Sequence, residues 1–362
     1  MSDALSVGIA GAGSIAFGYA AHLINRGHRA VLWSPSGVRT TALAGGAPLV
    51  AEGALSGTFH PGVADSAKAL CDGADAIVLA LPMYGHKAVF DALAPHLCPW
   101  QTVVISSHGA FGALYLRGLL QARGVDLNVV AVGTTLLTGR QTDATTVRVN
   151  TIRQRVDVCA LPPGPQPLST FAALFGDVAV VRDGLIAIAL SNLNAQNHLG
   201  IALANMTRME HGEAWSQGAN VTPNVGRLLE ALDLERLAIA RAFGKEVRTI
   251  FEHFHLSFHV PVAPIAEMNR QMAAQGTGGT GPASADSRYV TEDVPFGLVT
   301  TSHLGRIAGV PTPLHDAGID ILSAMYGRDF RSENDLLRAL EFDTMTRADL
   351  ETLCATSQGE TV

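Results

Sequence analysis

The sequence predicts an α/β protein in which a domain built on a parallel sheet is followed by a mostly α-helical domain. Its 362 residues exceed what one ordinary hydrophobic core accommodates, so two domains are expected. Short apolar segments alternate with helical patterns through the first half, whereas helical periodicity dominates from residue 185 onwards. We therefore predict domains at 1–184 and 185–362.

The elements of the first domain follow from its apolar segments. Alternating strands and helices of this kind form a parallel sheet covered by helices on both faces. A further strand pair (147–152 with 155–160), another helix and a strand at 178–181 complete the domain. The other predicted strands are 6–10, 30–33, 76–80, 102–106 and 127–132, with helices at 15–25, 85–97 and 113–121.

The second domain is predicted from long segments with helical spacing. One stretch, 275–284, is too rich in glycine to be a helix. It is either a lid that substrate orders or a solvent-exposed connector. The predicted helices are 185–210, 225–243, 247–254, 311–325 and 333–340.

Composition and charge exclude several partners. The net charge of -7 argues against nucleic acid or an anionic membrane surface, because both select for a basic face. No uncharged apolar run approaches the roughly 20 residues that span a bilayer, and no secretory signal is visible. The four cysteines form no C-x-x-C pair, which is typical of a reducing compartment. We expect a soluble, cytoplasmic protein.

A glycine motif lies between the first predicted strand and the first helix. Gly11, Gly13 and Ala16 match G-x-G-x-x-A, with the next strand arriving about 30 residues into the unit, as in a Rossmann-type dinucleotide site. The first glycine makes the tight turn, the second lets the backbone approach the pyrophosphate, and the helix N-terminus faces the phosphates. The alternative is a glycine-rich turn without a ligand. The other candidate cofactor residues here are Ser14, Ile15 and Pro82.

The end of the second strand indicates which dinucleotide binds. An NAD site usually places a carboxylate there, but this chain has Ser34, and no acidic residue follows until Glu52. Without that carboxylate, Ser34, Ser36 and Arg39 could bind the 2′-phosphate that distinguishes NADP from NAD. We therefore expect NADP in preference to NAD. The alternative is that Arg39 simply points to solvent.

Polar residues interrupt the apolar pattern of the second domain. Asn194 and His198 are four residues apart and share a helix face, and a later acidic pair, Glu292 and Asp293, stands before a proline. A carboxylate there could orient an imidazole. Taken alone, His198 is also compatible with a structural histidine and Asp293 with a helix cap.

With these motifs, the sequence resembles the octopine/nopaline (opine) dehydrogenases over nearly the whole chain. The resemblance rests on Gly11-Ala-Gly and on two more specific features, the Asn194–His198 helix and Tyr289-Val-Thr-Glu-Asp-Val-Pro followed by Gly309-Val-Pro-Thr-Pro. It implies an NAD(P)-dependent oxidoreductase that condenses an amino acid or amine with a 2-keto acid at a CH–NH bond. It also implies a catalytic pair, which falls on His198 and Asp293.

The implied chemistry agrees with the residue types. A histidine titrates near neutral pH, and a carboxylate on its other ring nitrogen fixes the tautomer. Both substrates carry carboxylates, so cationic or hydrogen-bonding anchors are expected. The candidate substrate-binding residues are Asn194, Thr222, Arg288 and Tyr289.

Two other functions are compatible with the sequence. A carbonyl reductase of the ketopantoate or 3-hydroxyacid type usually has a catalytic lysine early in the second domain, but no lysine lies in 185–210. A nucleotide-binding redox sensor would bind NADP(H) without turnover.

We expect no metal: His253, His255 and His259 have an H-x-H-x3-H spacing that could bind zinc, but structural histidines are favoured. An apolar helical face can be core or interface, so a homodimer is left open.

Overall fold

The computed structural model describes residues 4–354, which form two compact units. Of these residues, the first unit takes those up to Ile188 and residues 351–354, and the second comprises Ala189–Leu350. The first unit thus extends a few residues past the predicted boundary at 184/185. No helix among the described residues is long and apolar enough to cross a membrane.

The first unit is built on an eight-stranded sheet and a four-stranded sheet. The strands are β1 (Ser6–Ala10), β2 (Arg29–Trp33), β3 (Leu49–Gly53), β4 (Gly57–Phe59), β5 (Gly62–Val63), β6 (Ala76–Leu79), β7 (Thr102–Ile105), β8 (Asn128–Val132), β9 (Leu137–Gln141), β10 (Thr146–Ile152), β11 (Val156–Leu161) and β12 (Ala179–Val181). The large sheet has the order β12-β11-β8-β7-β6-β1-β2-β5 and the small sheet β4-β3-β10-β9. All neighbours in the large sheet are parallel except β11 and β8.

Helices pack on both sheets. The helix α1 is buried along most of its length and lies against the small sheet as well as the large one. A Cβ added to Gly18 of α1 would stand 2.5 Å from Leu137 Cδ1 on β9, so glycine permits this close approach. The helices here are α1 (Ser14–Asn25), α2 (Thr41–Ala44), α3 (Ala67–Cys71), α4 (His86–Leu93), α5 (Gly112–Gln121), α6 (Pro165–Phe175) and α7 (Gly184–Ser191).

The predicted pairing of 147–152 with 155–160 is wrong. The strand β10 belongs to the small sheet, whereas β11 lies in the large sheet, antiparallel to β8. Burial gives the reason. Only Val147 and Val149 of β10 are buried, as expected for a strand with one covered face, whereas every residue of β11 is buried.

The second unit is helical, as predicted, but the helix predicted to open it is broken near the boundary of the two units. The predicted helix 185–210 divides into α7 and α8 (Asn194–Glu210), because Asn192 Oδ1 accepts a hydrogen bond from the backbone N–H of Asn194. The remaining helices are α9 (Pro223–Ala242), α10 (Ile250–Phe258), α11 (Ile265–Ala274), α12 (Arg288–Thr291), a π-helical turn (Val294–Leu298), α13 (Val299–Ala308), α14 (Pro313–Tyr326), α15 (Asp335–Ala339) and α16 (Arg347–Cys354).

A buried polar network joins α8 to α9. Gln196 Nε2 donates to Asp233 Oδ1 at 3.0 Å, and the same carboxylate pairs with Arg236 at 2.6 Å. The side chains of the ion pair are only 2–3% exposed. Both charges of the ion pair lie on α9, so the hydrogen bond from Gln196 to Asp233 is the contact in this network that links α8 to α9. Gln196, although polar and close to His198 in sequence, therefore belongs to the scaffold.

Candidate active site

The glycine motif forms the turn between β1 and α1. Gly11 has a φ of +140°, and a Cβ there would lie 2.2 Å from the carbonyl oxygen of Ala80. Ala16, in the first turn of α1, is fully buried. Ser14 Oγ accepts a hydrogen bond from the backbone N–H of Gln141, and Ile15 is partly buried. Only a glycine allows this turn, and the turn leaves the first N–H groups of α1 to face a ligand.

The segment after β2 brings its polar residues to the glycine motif. The nearest heavy atom to a Cβ built on Gly13 is Arg39 Nη1, at 3.9 Å. No hydrogen bond or ion pair within residues 4–354 occupies the Arg39 guanidinium. Ser34 Oγ is buried and has no hydrogen-bond partner, while Ser36 is exposed beside it. A cation and an unpaired hydroxyl at this corner fit a phosphorylated ribose.

A strained segment that the sequence did not predict follows β7. Ser107, Ala110 and Phe111 have φ values of 65°, 49° and 56°, a left-handed conformation that non-glycine residues rarely adopt. It lies at the carboxyl edge of the sheet, since Leu79 and Ile105 are paired at the ends of β6 and β7. Strain of this kind concentrates at ligand sites, and ligands of such sheets bind at this edge. Residue type alone gives no signal for these backbone angles.

Pro82 lies beside this strained segment. It follows β6 and begins a short 3-10 turn over Met83–Gly85. A Cβ on Gly109 would stand 2.0 Å from Met83 Sδ, so the two loops are in close contact. Together with the glycine motif, these loops line one edge of the sheet and could hold the dinucleotide.

The second unit brings His198 and Asp293 into contact. His198 Nδ1 lies 2.6 Å from Asp293 Oδ2, and the two side chains are 18% and 10% exposed. No hydrogen bond in the described chain engages His198 Nε2. A carboxylate that accepts this hydrogen bond selects the tautomer with the hydrogen on Nδ1, and in the neutral form of that tautomer Nε2 is the nitrogen with the free lone pair.

The backbone around Asp293 explains this contact. Asp293 immediately precedes the π-helical turn, a rare element that is frequent at functional sites. A Cβ on Gly297 in that turn would lie 2.4 Å from Ala195 Cβ on α8, one turn before His198. Glycine therefore lets the turn approach α8 closely enough for the carboxylate to reach the imidazole.

Tyr289 stacks on the candidate catalytic histidine. The ring centroids of Tyr289 and His198 are 3.5 Å apart, with 9° between the ring planes. The phenol donates to Gln217 Oε1 at 2.6 Å. Burial, with a smaller contribution from the charge of Asp293, raises the pKa of Tyr289 to about 12, so the phenol keeps its proton.

The other candidate substrate residues differ in their surroundings. Arg288 is 65% exposed and pairs with the buried carboxylate of Glu292. Asn194 begins α8 on the exposed side, one turn from His198. Thr222 precedes α9 as its exposed N-cap residue, and no hydrogen bond between described residues joins it to His198 or Asp293. The structure thus gathers Tyr289 with the His198–Asp293 pair, but not Thr222.

The histidine cluster and the glycine-rich stretch have local roles. His255 Nδ1 bonds to the carbonyl of Val260, and His259 ends α10 with a φ of +56°. No group of three potential metal ligands occurs among the described residues. The backbone of Gly278 and Gly279 accepts hydrogen bonds from Gly218 and Gln217, so this part of the glycine-rich stretch is paired to protein.

Comparisons with known proteins agree with this architecture. Residues 181–326 match the family described as NAD/NADP octopine/nopaline dehydrogenase, alpha-helical domain, and residues 6–108 match that described as NADP oxidoreductase, coenzyme F420-dependent. An opine dehydrogenase from Arthrobacter sp. (strain 1C) is 30% identical over 360 residues, covering 97% of this chain and 99% of its relative.

Solved structures show the same fold. Octopine dehydrogenase in complex with NADH and agmatine superposes with a TM-score of 0.80 at 17% identity, covering 99% of this chain and 100% of the other. A ketopantoate reductase from Ralstonia eutropha JMP134 superposes with a TM-score of 0.66 at 16% identity, covering 89% and 99%. The match to the reductase is the more distant of the two.

Proposed function

The chain belongs to the octopine/nopaline dehydrogenase family of NAD(P)-dependent oxidoreductases, and from that premise we propose that it joins an amino acid or amine to a 2-keto acid, with NADPH as the preferred hydride donor. The observation that carries this proposal is the His198–Asp293 contact with Nε2 left unoccupied. The amine and the keto acid condense to an imine with loss of water, and bound nicotinamide supplies the hydride that reduces the imine carbon. The product is a secondary amine with two carboxylate-bearing substituents when the amine is an amino acid.

In this proposal His198 moves the protons of the condensation. Nε2 takes a proton from the substrate ammonium, which frees the amine to attack the keto carbon, and returns a proton to the carbinolamine oxygen as it leaves as water. Asp293 holds Nδ1 as the donor and stabilises the imidazolium that forms in between. The reverse oxidation uses the same groups in the opposite order.

Substrate recognition is proposed for groups near the imidazole. Arg288 is the cation nearest in sequence to this pair, and its exposed guanidinium can take a substrate carboxylate, although Glu292 already neutralises part of its charge. Asn194, on the same helix as His198, can donate to the second carboxylate. Thr222 has the weakest support, because nothing in the described residues connects it to the pair.

The choice of NADP over NAD is proposed from the corner beyond β2. The Arg39 guanidinium beside Gly13 and the unpaired Ser34 Oγ support binding of a 2′-phosphate, with Ser36 as a third donor.

A cytoplasmic location is proposed on the absence of a disulfide among the cysteines of the described chain. Whether the protein is a homodimer is a question for light scattering.

The test is a screen of NADPH oxidation across amino acids and amines paired with pyruvate, 2-oxoglutarate and larger keto acids. We expect oxidation only when both substrates are present, with the secondary amine identified by mass spectrometry. Oxidation by a keto acid alone would replace this proposal with carbonyl reduction. NADPH binding without oxidation by any pair would instead favour the redox sensor.

A further inference from the structure

The imidazole of His198 is held from two directions by one short segment. Asp293 bonds to its edge, and Tyr289, four residues earlier, covers its face at 3.5 Å. One hydrogen bond at Nδ1 fixes that atom but leaves the ring free to tilt about it. A parallel ring against the face removes this freedom.

The phenol ring is itself anchored. Tyr289 donates to Gln217 Oε1 at 2.6 Å, and burial holds the pKa of the phenol at about 12, far above neutral pH, so the donor persists through the working range. A hydrogen bond at the far end of the ring stops the ring from sliding across the imidazole.

Gln217 lies in a segment that is paired to the glycine-rich stretch. We call residues 215–218 with residues 278–282 the glycine strap. Its backbone bonds run from Gln217 to Gly279 (3.1 Å), from Gly218 to Gly278 (3.0 Å) and from Gly281 to Trp215 (3.0 Å). Trp215 Nε1 also donates to the carbonyl of Pro282 at 3.1 Å.

The glycines of the strap serve close packing. A Cβ on Gly281 would lie 2.2 Å from the Trp215 ring, and one on Gly218 would lie 3.1 Å from Gly278 Cα in the other half of the strap. Larger residues at either position would separate the two halves of the strap. The strap is therefore a fixed support for Gln217.

We propose that Tyr289 is a positioning residue for His198, and that the glycine strap sets the place of Tyr289 through Gln217. The proposal rests on the function proposed above, in which His198 moves protons. It gives Tyr289 a role different from substrate binding, because both its face and its hydroxyl are already in use within the protein. It also assigns the glycine-rich stretch to support of the catalytic ring.

Steady-state kinetics separates positioning from substrate binding. Tyr289→Leu removes the ring, and we expect kcat to fall about 10²-fold while KM for amine and keto acid stays within about twofold, because a misplaced proton-transfer group slows chemistry without weakening binding. Tyr289→Phe keeps the stack and should rescue kcat to within about fivefold of wild type. A rise in KM with unchanged kcat would overturn the proposal and make Tyr289 a substrate ligand.

The hydrogen bond is tested by a double-mutant cycle. Gln217→Leu should lower kcat as much as Tyr289→Phe, and the double variant should be no slower than either, since both remove the same bond. Tyr326→Phe is the matched control: its hydroxyl donates to the carbonyl of Ala285 at 2.7 Å in the same unit, and its loss should leave kcat unchanged. Multiplicative effects of Tyr289→Phe and Gln217→Leu would overturn the link to the strap.

Two measurements do not depend on turnover. Hydrogen exchange of the Gln217, Gly218 and Gly281 amides, which donate the backbone bonds of the strap, should accelerate in Tyr289→Phe and Gln217→Leu but not in Tyr326→Phe, and unchanged exchange would exclude the coupling. A crystal structure of Tyr289→Leu should show the His198 ring rotated from its wild-type plane, and an unmoved ring would overturn the positioning role. If no pair of amine and keto acid led the wild-type protein to oxidise NADPH, the proposed function would fail. These two measurements would still decide whether Tyr289, Gln217 and the strap are structurally coupled.

Discussion

His198 has one ring nitrogen bound to Asp293 and one without a protein partner in the described chain. Such an arrangement is suited to general acid–base chemistry, because the carboxylate fixes which nitrogen exchanges protons. The residue types and their spacing could be found in the sequence. The family resemblance implied that they act as a pair, but the residue pattern alone could not show their contact, since 95 residues separate them and helix periodicity does not report which helices meet.

Removing the imidazole should stop the chemistry. We expect His198→Ala to lower kcat by about 10³-fold, and Asp293→Asn by a smaller factor because it keeps a hydrogen-bond partner. NADPH affinity, measured by fluorescence titration, should stay within about twofold. His303→Ala is the matched control, since His303 is also 18% exposed and pairs with a carboxylate, that of Asp343. Retained turnover in His198→Ala would exclude His198 from the mechanism.

Cofactor preference should depend on Arg39 and Ser34. We expect Arg39→Ala to raise KM for NADPH about tenfold and leave KM for NADH unchanged, because only NADPH carries the 2′-phosphate. Ser34→Asp should shift the preference toward NADH by placing a carboxylate near the ribose hydroxyls. Equal effects of Arg39→Ala on both dinucleotides would contradict a phosphate contact.

At the scale of elements, the π-helical turn and α8 form the scaffold of the histidine pair. The turn begins directly after Asp293, and Gly297 gives it the close approach to Ala195 that the pair requires. Sequence patterning predicted one continuous helix over 185–210 and no helix over 288–308, so it indicated neither the π-turn nor the break at residues 192–193. Both depend on local hydrogen-bond choices that hydrophobic periodicity does not report.

A methyl group at position 297 should disturb this scaffold. We expect Gly297→Ala to lower the free energy of unfolding by about 1–3 kcal/mol through overpacking and to reduce kcat, because the turn must move away from α8. Gly118→Ala is the control: it lies on α5 with nothing within 4 Å of an added Cβ, and should stabilise the protein by about 1 kcal/mol. Urea denaturation measures the free energy of unfolding of both variants. Wild-type stability and wild-type kcat in Gly297→Ala would contradict the need for this close approach to α8.

At the scale of the molecule, buried histidines make stability depend on pH. Burial lowers the pKa of His22 and His86 to about 4 and that of His108 to about 3, from the ordinary value of 6.5. Below pH 6.5 these three histidines become protonated in the unfolded chain but stay neutral in the folded chain. The stability that these groups contribute is therefore complete above pH 6.5 and is lost as pH falls toward 4.

Acid should therefore destabilise the first unit well before the carboxylates titrate. Each histidine should contribute a loss of about 2 kcal/mol in the free energy of unfolding at pH 5. His86→Gln can keep the hydrogen bond to the carbonyl of Leu81 and should flatten the decline in melting temperature between pH 7 and 5. The exposed His60→Gln should leave the slope unchanged, and an equal slope in His86→Gln would contradict this origin.

The sequence by itself determined the two-part α/β architecture, the glycine turn at Gly11 and the identity of the residues in the candidate site. These are local properties, since apolar periodicity and glycine spacing act within one element and its neighbours. Only the tertiary structure decided that Arg39 lies beside Gly13 and that Tyr289 stacks on His198. It also decided that the glycine-rich stretch pairs with 215–218. These contacts join distant parts of the chain, and they depend on how buried faces pack in three dimensions, which no local pattern encodes.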